Sequence, residues 1–477
     1  MQPGRTLGGR PSVTLDALKI SRAQALRYGG GKSPPTTLEP QMVGRSKSSL
    51  ASALSIAMAD HGVESPTALK VGFLAPLTGK LKSWAEPGLS GSLIWRDRVN
   101  ASGGIRVGMR RYMVDLVPFD TKFQPDLALA GVKKLINEDG VKFILMVGGD
   151  DFTEQVRDFV NKHRMLVATL LPSDLSPDAP TLIAPSEVHP IYNVTGVDWL
   201  KRHDPSLRTV AMCAQDDLHG LPSIATYRAA FEAAGMELVA EHLYPIETTD
   251  FCDIVGKLLA NSPDVLCWDT SYEPFLHALT KEAFKRGFKG RLLSCTCDNY
   301  QDLVEQTSRE FMEGFVFQFP DFDDPRLNDS QVNFENPNEF YAEFCQRYPH
   351  SWSAVSWEYA STLELWKNAV QRARSFEPFS VLSMMKFGGV GHHAFGEAIW
   401  WGNDLFGIDN ALVGDWPVVM IENGKARIQE FSSIRAWWDR NRDVLIRHMR
   451  AMNLMWDQRG TGPMVPAIEQ QPFMRPH

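Results

Sequence analysis

A chain of 477 residues is too long for one hydrophobic core, so two packed lobes plus tails are expected. With 44% hydrophobic and 22% charged residues it is composed like a soluble globular protein, and a net charge of −8 argues against the basic field of a general nucleic-acid or membrane-surface binder. No apolar run of about 18 residues occurs, so no membrane-spanning helix is expected.

Residues 1–45 are rich in Gly, Pro, Arg and Ser without sustained periodicity, and read as disordered or as sequence ahead of the true start. Arg45 and Lys47 then precede the mild apolar stretch Ser49–Ile56 and the small-residue run Ala57-Met58-Ala59. A start at Met42 would give residues 42–59 the layout of a short export signal cut after Ala59. The Ser-diluted core leaves a loosely helical leader as the other reading.

From Ala68 onward, short apolar runs alternate with amphipathic stretches. The pattern predicts strands at Leu69–Ala75, Tyr112–Pro118, Val141–Val147 and Leu166–Leu171, with helices at Gly88–Asn100, Pro125–Glu138 and Glu154–Lys162. After a pause at Ile183–Ser186 it restarts, with helices at Ile191–Lys201, Ser223–Ala234, Ile254–Ala260 and Pro274–Arg286. The intervening strands are Thr209–Ala214, Leu238–Tyr244, Val265–Asp269, Leu292–Cys295 and Gly314–Phe319. Residues 337–375 read as helices. Residues 395–430 read as strands with turns at Gly402-Asn403 and Asn423-Gly424, and Ile434–Met455 as an amphipathic helix. Met464–His477 reads as a disordered tail. Repeated βαβ units mean parallel sheets with helices on both faces, an α/β class. Such sheets bind ligands outside the carboxyl ends of their strands, where helix N-termini offer unpaired N–H groups.

Of the six cysteines, Cys213, Cys267 and Cys295 sit in strand-like apolar runs and read as buried thiols; export would permit a disulfide. Cys295-x-Cys297 lacks a second pair at zinc spacing, so the cysteines give only a weak metal-site signal.

Several stretches, in order, are similar to one family. Val71-Gly72-Phe73-Leu74-Ala75-Pro76-Leu77-Thr78-Gly79 resembles the opening strand and turn of the branched-chain amino-acid binding proteins, substrate-binding components of ABC importers. Trp84, Gly88, the turn Asn100-Ala101-Ser102-Gly103-Gly104-Ile105, Asp120 with Pro125, Val147-Gly148, Trp357–Tyr359 and Asn423-Gly424-Lys425 follow the family's order, over roughly residues 69–430. The resemblance implies a type I periplasmic fold, two Rossmann-like lobes joined by a multi-crossing hinge. Lobe 1 would take residues 69–188 and 319–396, and lobe 2 residues 189–318 and 397–432, with a C-terminal helix and tail from 433. Crossings are expected near 187–190, 317–320 and 396–402. It implies an exported, periplasmic, monomeric carrier that binds a small polar solute, amino-acid-like or bearing an amide or amine, between two lobes, with an ABC permease as partner, no cofactor and no nucleic acid.

Carried over by position, the ligand contacts become Trp84, Asp150–Thr153 with Asp150 and Asp151 singled out, Ser173–Leu175 with Ser173 and Asp174 singled out, His219, Ser271 or Tyr272, and Cys297 or Asp298. Where the family uses small hydroxyl residues to hold a carboxylate, this chain has Asp150-Asp151, which would repel one. Asp174, Asp216, Asp217 and Asp298 also follow strands. Such a rim favours a cation, an amine, an amide or a hydroxyl-rich solute, or a hard metal ion. The competing reading is that these Asp residues cap the next helix. Trp84 could equally cover the core edge, and His219 and Tyr272 could face solvent. Trp400-Trp401 reads as core near a hinge, and His392-His393 as a loop pair without H-E-x-x-H. No G-x-G-x-x-G, G-x-x-x-x-G-K-[ST] or G-x-S-x-G is present, so no enzyme is expected. A sensory module on the same fold is the alternative to transport.

Overall fold

The computed structural model describes residues 67–79, 81–186, 191–217, 220–269 and 272–458, with the backbone alone for Asp150. The leader with its signal-like stretch 42–59, the crossing at 187–190, His219, Ser271 and the tail 464–477 lie outside the described residues.

The first half builds β1 (Thr67–Ala75), α1 (Glu86–Ala101), β2 (Ile105–Val107), β3 (Arg110–Asp120), α2 (Pro125–Lys134), β4 (Ile144–Met146), α3 (Glu154–Lys162), β5 (Val167–Thr169) and β6 (Leu182–Ile183). They form one sheet of order β2-β3-β1-β4-β5-β6, parallel except for β2. Val71, Phe73 and Leu74 of β1 are fully buried, as a strand covered on both faces requires.

The second half builds α4 (Asn193–His203), β7 (Thr209–Gln215), α5 (Gly220–Ala233), β8 (Glu237–Tyr244), α6 (Cys252–Leu259), β9 (Val265–Trp268), α7 (Glu273–Lys285), β10 (Arg291–Ser294), α8 (Tyr300–Gln306), α9 (Arg309–Met312) and β11 (Val316–Phe317). Then come α10 (Pro337–Arg347), α11 (Val355–Ala373), α12 (Pro378–Met385), β12 (Val390–His393), β13 (Gly396–Trp401), α13 (Asn403–Phe406), β14 (Ala411–Glu422), β15 (Lys425–Ser433) and α14 (Ile434–Ala451). The second sheet runs β12-β13-β14-β11-β10-β9-β7-β8, with β15 on β14. Its β7 to β11 portion is parallel, and β12 to β15 add antiparallel strands.

Within the two sheets, β3-β1-β4-β5-β6 and β8-β7-β9-β10-β11 share one strand order, that of a doubly wound fold. The chain reverses direction beside β1 in one sheet and beside β7 in the other. Helices α10 and α11 return to pack on α1 of the first lobe, while α14 packs on α5 and β14 of the second. The α1–α11 contact is close because α1 carries Gly91: a Cβ there would lie 1.7 Å from the Ser356 carbonyl oxygen. Trp357 of α11 meets Phe319, Phe322, Phe395 and Trp416 in an aromatic cluster where the chain passes between the sheets.

The sequence expectations hold for every long element and need correction at short or irregular ones. The helix expected over Pro125–Glu138 is α-helical to Lys134, then widens into a π turn over Leu135–Asp139 that Gly140 closes at φ 67°. The turn expected at Gly402-Asn403 is the start of the one-turn helix α13. Strands β2, β6 and β12 and the short helices α8, α9 and α12 were not anticipated; the strands, at two to four residues, carry no legible period. The N-x-x-G-G-I turn is explained by its contacts. Asn100 exchanges two hydrogen bonds with the Val114 backbone, and Gly104, at φ 77°, lies where a Cβ would strike the Tyr112 carbonyl.

Candidate functional site

The turns after β1, β4 and β5 in the first lobe, and after β7, β9 and β10 in the second, carry the candidate residues. Trp84 closes a 3₁₀ turn, Lys82–Trp84, after β1. That loop is anchored by Asp120 at the end of β3, which accepts hydrogen bonds from the N–H groups of Leu77 and Thr78 and from the Thr78 hydroxyl at 2.6 Å. Burial pushes the Asp120 carboxyl up, but its bonds from Thr78, Lys122 and Leu77 outweigh that and hold it below its ordinary range.

Trp84 and Tyr272, one from each lobe, meet edge to face with ring centroids 5.0 Å apart. Tyr272 is only 2% exposed. It opens α7, and its N–H donates to Gln215 Oε1 (2.9 Å) at the end of β7. Gln215 Nε2 in turn donates to Asp217, which accepts the Gly220 N–H (2.8 Å) at the start of α5. Asp217 therefore does serve as a helix-start acceptor.

Asp151, Asp174 and Asp298 accept hydrogen bonds from groups far from their own turns in the chain. Thr153, not Asp151, caps α3 by accepting from Val156 N–H. Asp151 is fully buried and accepts from the Thr121 hydroxyl (2.6 Å), tying the β4 turn to the end of β3. Asp174 reaches back to the same turn, accepting the Gly149 N–H at 3.0 Å and the Thr169 hydroxyl at 2.9 Å. Gly148, at φ 97°, makes this possible, since a Cβ there would fall 2.2 Å from Asp174 Oδ2. Ser173 sits half-buried beside Asp174 in a 3₁₀ turn.

Asp298, half-buried after β10, accepts the Ala354 N–H (2.9 Å) just ahead of α11, the long helix packed on the first lobe. Desolvation, with the charges of Glu273 and Asp321 adding to it, raises its carboxyl to about 7 despite that hydrogen bond. The structure thus brings Trp84, Tyr272 and Asp298 into contacts between the lobes, and Asp151 and Asp174 into ties within the first lobe.

Sequence reasoning missed Gln215, Asp269 and Ser223. Ser223 donates to the fully buried Asp269, and Asn193 donates to Ser223 (2.6 Å). The apolar-to-polar step at the end of β9 was the available signal for Asp269. No described turn at these strand ends carries an arginine; Lys82 and Lys122 are exposed. Among the described residues no three His, Cys, Asp or Glu side chains are grouped to hold a metal ion. The six cysteines are thiols; Cys213, Cys267, Cys295 and Cys297 are buried, and burial pushes Cys213, Cys267 and Cys297 well above the ordinary thiol range.

Residues 68–426 match the periplasmic binding protein family model. The chain belongs to the periplasmic binding protein family. Solved members of similar fold include an ABC transporter substrate-binding protein from Sphaerobacter thermophilus, with 19% identity and a TM-score of 0.61 over 76% of this chain and 96% of that one. A leucine binding protein from Thermotoga maritima follows at 14% identity and TM-score 0.62, covering 77% of this chain and 99% of that one. A solute binding protein from R. palustris in complex with 4-hydroxybenzoate shows 17% identity and TM-score 0.61, covering 77% and 96%. This periplasmic binding protein has the two-lobed type I fold of a solute binder, and neither the family nor the fold is that of an enzyme. No described helix is long and apolar enough to cross a membrane.

Proposed function

We propose that this periplasmic binding protein is the exported solute-binding component of an ABC importer, and that it holds an amine-, amide- or hydroxyl-bearing solute between Trp84 and Tyr272 for delivery to a membrane permease. The carrying observation is the Trp84–Tyr272 contact, one ring from each strand-end face. Both rings lie where the strand order reverses, the usual ligand position in doubly wound sheets. Ser173, Asp174, Asp150, Asp151, His219 and Asp298 follow neighbouring strands and complete the proposed lining.

The solute class rests on charge. Leucine and 4-hydroxybenzoate, named with two relatives, both carry a carboxylate. Here the described strand-end turns hold several aspartates and no arginine. Acids and two aromatic faces favour a cation or hydrogen-bond donor over an anion. A thermal-shift screen of amines, amides, ureas, polyols, amino acids and aromatic acids tests this. A solute present at 100 times its Kd should stabilise the fold by about 2.7 kcal/mol. Responses confined to carboxylic acids without an amine would overturn the class, and turnover of the solute would overturn the carrier reading.

A further inference from the structure

We infer that Asp298 is a positioning residue for closure, a latch through which bringing the lobes together takes up a proton. The inference goes beyond the proposed solute class and needs no solute to be bound.

The latch is built from both lobes. On the second-lobe side, Asp298 follows β10, and His277 Nε2 of α7 lies 2.9 Å from its carbonyl oxygen, fixing the backbone of the turn. On the first-lobe side, Ala354 directly precedes α11, whose start is held against α1 by the close approach of Gly91 to Ser356. The bond from Ala354 N–H to Asp298 Oδ1 therefore joins a fixed turn to a fixed helix start. Moving the lobes apart breaks it and returns the carboxyl to water.

In the closed arrangement desolvation weighs on the half-buried Asp298 carboxyl, and the charges of Glu273 on α7 and Asp321 after β11 add to it, with the Cys297 thiol on its own turn and His277 of α7 held to the Asp298 carbonyl. A neutral carboxyl still accepts the Ala354 N–H through its carbonyl oxygen. An ionised one accepts it more strongly but carries the desolvation and the repulsion. With the group near 7 when closed and at its ordinary value when open, the closed form binds the proton more tightly. Falling pH therefore favours closure, and rising pH through about 7 weakens it.

Small-angle X-ray scattering of the full chain without added solute, from pH 5 to 8.5, reads this directly. The wild-type radius of gyration should shrink as pH falls, with a midpoint near 7. Asp298→Asn, which keeps the accepting oxygen and cannot ionise, should stay compact and flat with pH. Asp298→Ala should be more open at every pH, with lost hydrogen-exchange protection at the Ala354 amide. Glu273→Gln should move the wild-type midpoint down. A wild-type radius that does not change with pH, an Asp298→Asn variant that tracks the wild type, or an unmoved midpoint in Glu273→Gln would each overturn the latch. The wild-type and Glu273→Gln curves decide the matter even if a position-298 variant does not fold.

Discussion

Trp84 and His393 show how a single ring can serve binding in one place and stability in another. Trp84 is half-buried and partnered across the cleft, so its loss should leave both lobe cores intact. Trp84→Ala should weaken binding of whichever solute raises the melting midpoint by about tenfold, roughly the 1.4 kcal/mol of a partly desolvated aromatic contact. Titration calorimetry checks it, and an unchanged Kd would place the solute elsewhere. His393 is buried between Phe395 and Trp416, with Nδ1 accepting the Phe395 N–H at 3.0 Å. Its Nε2 lies against the Gly414 backbone, and burial lowers the ring to about 4. A folded-state value below the unfolded one means that the unfolded chain takes the proton first as acid is added. Stability should fall by up to about 3 kcal/mol between pH of about 6.5 and 4. Asp298 and Asp321, raised to about 7 and about 6, act in the opposite sense. The difference between wild type and His393→Phe in urea melts across that range isolates the histidine, and parallel curves would refute its role.

Among the elements, the α1–α11 contact carries the sharpest steric demand. Gly91→Ala would put a methyl 1.7 Å from a backbone oxygen, a clash that no side-chain rotation relieves. A loss of about 1–3 kcal/mol in denaturant melts is expected, as for overpacked cores. A neutral result would mean that the two helices can separate freely. The elements themselves were legible because buried parallel strands are short apolar runs set between amphipathic helices, and Glu154–Lys162 appears at its sequence-read bounds. The roles of the aspartates were not legible. Whether such a residue caps its own helix or ties two turns depends on partners far away in the chain. Asp174 meets Gly149 across 25 residues, and Asp298 meets Ala354 across 56. Trp84 and Tyr272 could be placed at strand ends from sequence, but only the fold could bring together rings so distant in the chain. The cysteines read as buried thiols were legible for the same reason as the strands: they stand within the apolar runs.

For the whole molecule, two sheets of one strand order each carry one ring of the Trp84–Tyr272 contact beyond a strand end, and the solute proposed here would be enclosed by both. Binding then acts as added contact between lobes, stabilising the closed arrangement only by its differential affinity for it. The Trp84–Tyr272 contact bears on the speed of capture as well. With Tyr272 only 2% exposed and the Trp84 ring against it, a solute held between the two rings cannot enter until they part. Entry must then wait for a spontaneous parting of the rings, and a solute cannot hasten that step by being more abundant. In stopped-flow fluorescence the observed association rate should climb with solute concentration and then level off at the frequency of opening. Trp84→Ala should lift that ceiling even as it shortens the residence time, whereas a rate that stays linear to high concentration would show that the rings part faster than solute arrives.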